Sequence, residues 1–432
     1  MKGTSAEIRQ KIYDGIPVYT KCTIMVNHKE TGTTKTFKLE PTDFTVQDNS
    51  YTVNGGYDIS IGKVVSKSIK LSIDNTGDRF YGYDLNTGII GLQSVVYPNG
   101  IGQTARAFNE GVFYVDNVDI VNYTIKLTAY DRISVLDTPF IIRTANPITH
   151  TALYPTIWDY FVHLCDDVYR ELIGESETTG VHWYSSELSS NHFLNSNMSL
   201  AAIEGASKAT MTLRDIFGYI AQIAGGVVVL DSMEKINIKS LQLSSVIYIN
   251  GLTFSDTVTE TYDGGILGEV QSWTLYSAPA FTSTPNTALL DRYVTPPVVE
   301  YTDVQYTKVT ISYPIPNNEK GGTASDGSSD YNVLKLNNPL CQRSNDNNAD
   351  IVVVANKIRN RIGNTKTIKP FSGTFTNNPL IELLDNVIIV DSNGIAHNSF
   401  VGEHTMNYLG SSEISNRTPT VGQNKRTYAE AP

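Results

Sequence analysis

The sequence has little cysteine, and the three residues it has, Cys22, Cys165 and Cys341, lie far apart without a CxxC pair. An odd, scattered set of this kind indicates no disulfide framework and fits folding in a reducing cytoplasm. Long apolar runs are also missing. The longest, such as Val227–Leu230 and Val387–Val390, are of strand length, and Met1–Glu7 has no apolar stretch, so neither a membrane span nor a signal peptide is predicted. Basic residues are outnumbered: 33 Lys and Arg against 44 Asp and Glu give a net charge of −11, which argues against general binding to a phosphate backbone. An acidic chain can still line a passage through which DNA slides.

Local signatures of catalysis are scarce as well. No segment offers the Gly-x-x-x-x-Gly-Lys-Ser/Thr spacing that wraps a phosphate, and neither HExxH nor GxSxG occurs. His163 and Asp167, four apart on a predicted helix, could present two metal ligands, but both flank an apolar stripe where polar residues simply meet water. His182, His192, His397 and His404 lack Cys or carboxylate partners at ligand spacing and read as surface or turn residues. Among 44 acidic residues a carboxylate pair for glycoside hydrolysis is not visible from spacing. Trp158, Trp183 and Trp273 could build a sugar platform, yet aromatics in β proteins are more often core. The expectation is no catalytic, cofactor or metal site.

What is present is β-type sequence. Tyr (25) outnumbers Phe (14), and runs rich in Val, Ile, Thr and Tyr recur, as pleated half-buried surfaces favour. With 40% hydrophobic and 18% charged residues, a chain of 432 residues should fold into two to four domains, mainly β with a smaller α+β part.

The first domain is predicted over 1–147. Strands are read at Val18–Val26, Lys35–Leu39 and Ser68–Ile73, with turns at Asn54-Gly55-Gly56 and Asp74–Gly77. A hairpin follows, from Gly111–Asp116 to Thr124–Asp131, turning around Asn117–Asn122. A small α+β domain is predicted over 148–245. Its first helix starts at Pro155-Thr156, buries Ile157, Tyr160, Phe161, Leu164, Val168 and Leu172, and stops at Gly174. Thr212 caps its second, which buries Leu213, Ile216, Phe217, Ile220 and Ile223 before Gly225-Gly226. Strands at Val227–Leu230 and Ile236–Ile238 close the domain. The third, 246–432, is β-rich, with strands at Gln271–Tyr276, Val304–Tyr313, Thr374-Phe375 and Val387–Val390. It holds one helix at Ile351–Ile362 and a flexible Gly-, Ser-, Asn- and Asp-rich loop at 316–350, a candidate partner contact. The residues after Ser415 read as a loosely held tail.

Three segments, in order, resemble tail hub proteins of phages and prophages of Gram-positive bacteria. The first is Gly111-Val112-Phe113-Tyr114-Val115-Asp116 with Ile125–Arg132, similar to a GVF-x-VD … I-x-L-TAYD pattern. The second is the helix from Thr212-Leu213-Arg214-Asp215-Ile216 to Gly225-Gly226. The third is Pro370–Phe375 with Asn378–Leu383 and Asp385–Val387. Their order and spacing carry the resemblance, since each alone has a local structural explanation.

The resemblance implies two tail-tube-like β-barrel domains per chain plus small accessory domains, assembled as a homotrimer whose six barrels continue a sixfold tail tube. It implies a structural, non-enzymatic baseplate hub of a virion tail tip, assembled in the bacterial host cytoplasm. The subunit would join the tail tube to a central spike or tip, with distal tail, baseplate and tape measure proteins as further partners. DNA would cross only transiently through its lumen. Longer relatives carry a lysin or host-binding extension; here the spike or hydrolase is expected on a separate protein. The same hub serves in a contractile injection system. Three copies at −11 each would carry −33 in all, and an acidic lumen lining is expected to repel DNA. The alternative is a carbohydrate-active β protein, a receptor-binding adhesin or a cell-wall hydrolase, which predicts an aromatic-lined groove or a carboxylate pair.

Overall fold

A computed structural model describes residues 6–52, 61–101, 103–139, 157–175, 183, 211–231, 234–240, 252–262, 265–275, 287–300, 306–315, 318–327, 333–341, 348–362, 369–393, 395–407 and 411–416. The protein is mainly β. A short helix α1 (Ala6–Tyr13) leads into strands β1 (Val18–His28), β2 (Thr34–Leu39), β3 (Phe44–Thr52), β4 (Ser68–Asp74), β5 (Tyr83–Val96), β6 (Arg106–Val121) and β7 (Thr124–Tyr130). The alternation that the sequence shows at Ile69, Leu71 and Ile73 is the alternation of burial: all three are sealed in one core with Ile24, Ile90, Phe113 and Leu127. The β6–β7 turn is tighter than the predicted Asn117–Asn122. Val121 pairs with Thr124, and Asn122 takes the left-handed conformation at φ 56°, as a two-residue hairpin connection requires. The Asn54–Gly56 turn lies outside the described residues.

The middle of the chain is helical where the period changes. Three contiguous stretches, Ile157–His163, a π-helical Leu164–Tyr169 and Arg170–Leu172, form α2. The π turn shifts the buried stripe by about one residue, so Cys165 and Tyr169 enter the core beside Leu164 and Val168, while Leu172 is only half-buried. Helix α3 (Leu213–Ala224) starts on a capping box, in which the Thr212 hydroxyl accepts from the Asp215 amide and Asp215 accepts from the Thr212 amide. It ends on Gly225 at φ 68°. Strands β8 (Gly226–Leu230) and β9 (Ile236–Ser240) follow as a two-stranded sheet.

Beyond them come β10 (Leu252–Tyr262), β11 (Gly265–Leu275), β12 (Thr287–Leu290), β13 (Tyr293–Val299), β14 (Lys308–Ile315), β15 (Asn318–Asp326) and β16 (Val333–Asn337). Helix α4 (Ala349–Ile362) buries Ile351, Val354, Ala355, Ile358 and Ile362, and strands β17 (Phe371–Thr376), β18 (Asn386–Val390), β19 (Ala396–Phe400), β20 (Glu403–Asn407) and β21 (Ser411–Asn416) complete the set.

The flexible loop expected at 316–350 is corrected here. Strands β15 and β16 flank β14, antiparallel and parallel. The composition misled because small residues are what this sheet needs: Gly322 stands opposite Tyr313, whose ring would lie 2.4 Å from a β-carbon placed there. A glycine covered by an aromatic ring is stable in a strand although its own propensity is low.

One eleven-stranded sheet, in the order β13-β17-β21-β20-β3-β4-β7-β6-β5-β1-β2, joins strands of the predicted first and third domains. The sheet curls: Ser94 on β5 reaches Met406 on β20 at 3.9 Å, although four strands separate them in the sheet order.

Candidate assembly surface

The joint between the two halves of the sheet is a short antiparallel pairing, Glu403 with Thr52, His404 with Tyr51 and Thr405 with Ser50. His404 is buried here opposite Ile414, which corrects its reading as a surface or turn residue. His397 does sit beside a turn, but with a carboxylate: its Nε2 lies 3.0 Å from Asp391 Oδ2, across a turn whose Asn393 and Ile395 amides also donate to Asp391. These bonds hold the Asp391 carboxyl below its ordinary value against the opposing effect of burial.

Each half of the sheet carries the same local device on its core side. Gly111 and Gly373 lie two residues before Phe113 and Phe375, and both rings are buried. The opposite face alternates polar. On β1, Lys21 and Thr23 alternate with buried Cys22 and Ile24; on β20 and β21, Glu403, Thr405 and Glu413 alternate with buried His404, Met406 and Ile414. Exposed Lys38, Lys70 and Lys126 belong to this face in β2, β4 and β7.

Among the described residues the two outer edges of this sheet are β2 and β13. The first is six residues long and exposes Lys35 and Lys38, with the Lys35 ammonium 4.6 Å from the Phe37 ring centroid. The second contains Pro296 and Pro297 and shifts register twice against β17. A groove of about 670 Å³ crosses β2, β1 and β5, lined by Tyr19, Lys21, Lys38, Glu40, Tyr97 and Ile101 among others. A second, of about 470 Å³, lies over β13, β17, β21 and β20, with Pro296, Val298, Glu403 and Glu413 in its walls. The tip of the β6–β7 hairpin exposes Ile120, Val121 and Tyr123.

Where the N-terminal strands meet the helical unit, charges are buried. Asp131 accepts from the Ser66 hydroxyl and the Lys67 and Ile133 amides, yet burial pushes its carboxyl up to about 6. Glu234, at φ 60°, accepts from the Tyr114 hydroxyl at 2.9 Å and lies 3.5 Å from Arg132, whose guanidinium covers the Tyr114 ring at 4.5 Å. Burial raises the Glu234 carboxyl, opposed chiefly by Arg132. Lys239 pairs with fully buried Asp385 at 2.9 Å, tying β9 to the segment before β18.

The other sequence candidates fall into structural roles. His163 Nδ1 meets Asp167 Oδ2 at 2.7 Å on α2. Trp158 and Trp183 pack edge to face at 5.0 Å, half-buried against the core, and Trp183 Nε1 donates to Asp166, so they form no open platform. Trp273 pairs through its backbone with Phe254 in the β10–β11 hairpin. Cys22, Cys165 and Cys341 are buried and take part in no disulfide. His182 and His192 lie outside the described residues. Among the described residues no group of three or more His, Cys, Asp or Glu could hold a metal, and no helix is long and apolar enough to cross a membrane.

No family model and no curated protein matches the chain. Among solved structures it is similar to the tail protein from Neisseria meningitidis MC58, at 10% identity and TM-score 0.46, over 93% of this chain and 98% of that one. It is also similar to a chain of a PdpA-VgrG complex in its lidless form, at 11% identity and TM-score 0.36, over 95% and 67%. A third is the phage P2 baseplate in its activated conformation with Ca, at 11% identity and TM-score 0.28, over 94% and 100%.

Proposed function

We propose that the chain is a structural subunit of a phage or phage-like tail baseplate, a homotrimeric hub that joins the tail tube to a central spike or tip. The observation that carries this reading is the β3–β20 pairing. It makes one curled sheet from two halves distant in sequence, each half backed by its own core, so that one chain supplies two arcs of β surface. Three such chains in a closed ring would supply six arcs and match a sixfold tube.

Its work is mechanical: burying interfaces, matching symmetry and leaving a lumen for DNA once the tip departs. On this reading the polar sheet face lines the lumen. Exposed Lys70 and Lys126 of β4 and β7 belong to that face, away from the grooves at its two ends, and bring basic side chains to a lining for which net charge alone suggested acidic ones. Negative-stain images of the purified chain test the reading. Rings with a central hole are expected, and single compact particles at every concentration would count against it.

A further inference from the structure

We infer that adjacent copies join through side chains, the β13 ridge of one chain seating in the groove over β2, β1 and β5 of the next; this rests on the ring reading above. Main-chain pairing between the two outer edges is disfavoured on both sides. Pro296 and Pro297 have no N–H to donate, and β13 is already irregular where they stand. Strand β2 is short and exposes Lys35 and Lys38, as edges that resist strand addition do. Side-chain seating is therefore favoured over an edge-to-edge ladder as the joint.

The two grooved ends are complementary in another way. On β13, Val294 and Val298 are 60% and 67% exposed, and Val298 with Pro296 forms a stiff apolar ridge along the second groove. The groove at the other end has an apolar rim of Tyr19, Tyr97 and Ile101, the last 78% exposed. Charge matches too: Lys21 and Lys38, beside the lone acid Glu40, face outward in the groove, and Glu413 with Glu403 flanks the ridge. Ridge and groove are different surfaces of one chain, so the contact is head-to-tail and closes into a ring when its rotation allows.

The test compares the full chain with Lys21→Glu/Lys38→Glu, with Glu413→Lys, with Val298→Asp and with the charge changes combined, each first confirmed as folded by its thermal unfolding. Light scattering across a dilution series should show each of the first three raising the ring's dissociation constant on the order of tenfold or more, with partial recovery in the combined charge variant. Wild-type rings that no variant weakens would overturn the seating and leave the hub reading standing. A wild-type chain that never forms rings would overturn both.

Discussion

The ring of Phe113 folds back over Gly111, two residues before it on the same strand, so that a β-carbon at Gly111 would stand 3.0 Å from the ring. Phe375 covers Gly373 in the same way, at 2.9 Å. The N-terminal and C-terminal halves of the sheet thus share one Gly-x-Phe device, which lets a buried phenylalanine lie flat on the strand that carries it.

Alanine at either glycine should push the ring out of its place in a close-packed core. We expect Gly111→Ala and Gly373→Ala each to cost about 1–3 kcal/mol, the penalty typical of overpacking. Urea unfolding measures this; a loss of unfolding free energy below a few tenths of a kcal/mol at both positions would show that the rings move freely.

Stability should depend on the protonation of Asp131. Its folded value is about 6, against an ordinary value of 3.8, so between those pH values the folded chain holds a proton that the unfolded chain has lost. Stability therefore rises as pH falls through 6 and levels off near 4, by about 1–3 kcal/mol. Glu234, also raised, acts in the same direction. Thermal unfolding at a series of pH values should show a smaller gain on acidification in Asp131→Asn than in the wild type; identical profiles would remove Asp131 from the account.

Removing Lys239 takes away the ammonium 2.9 Å from the fully buried Asp385 carboxylate. Lys239→Ala should cost about 3–5 kcal/mol, as loss of one partner of a buried pair does, whereas a double replacement by apolar residues should recover much of it. A double-mutant cycle in urea measures the coupling, and additive effects would show that the two groups act independently.

Thr212→Ala removes one half of the capping box of α3 and should cost about 1 kcal/mol. Thr212→Asn, which keeps an acceptor, should cost much less. Equal losses in the two variants would place the role of Thr212 elsewhere.

The elements that sequence shows are those that local chemistry specifies. The α3 cap, its Gly225 stop and the period-two alternation of β4 depend on residues within a few positions of one another, and they appear where spacing predicts. Strand β5 was missed because Gly88 and Gly91 interrupt its pattern, although they lie close against Val115 and Thr23 of the neighbouring strands. Helix α1 was missed because its few apolar residues, Ile8 and Ile12, gain meaning only against Val96, Phe108 and Leu380. The β3–β20 joint links positions some 350 residues apart, and no local spacing encodes it. The same holds for the grooves and for the Glu234–Arg132–Tyr114 cluster. Such surfaces consist of ordinary strand residues whose significance comes from the curl of the sheet.

The central claim is that three chains close into a ring, and the solution mass of the purified 432-residue chain by light scattering tests it most directly. The account predicts a species of three chains that persists on dilution into the micromolar range. A monomer at every concentration, or a dimer with twofold symmetry, would contradict it.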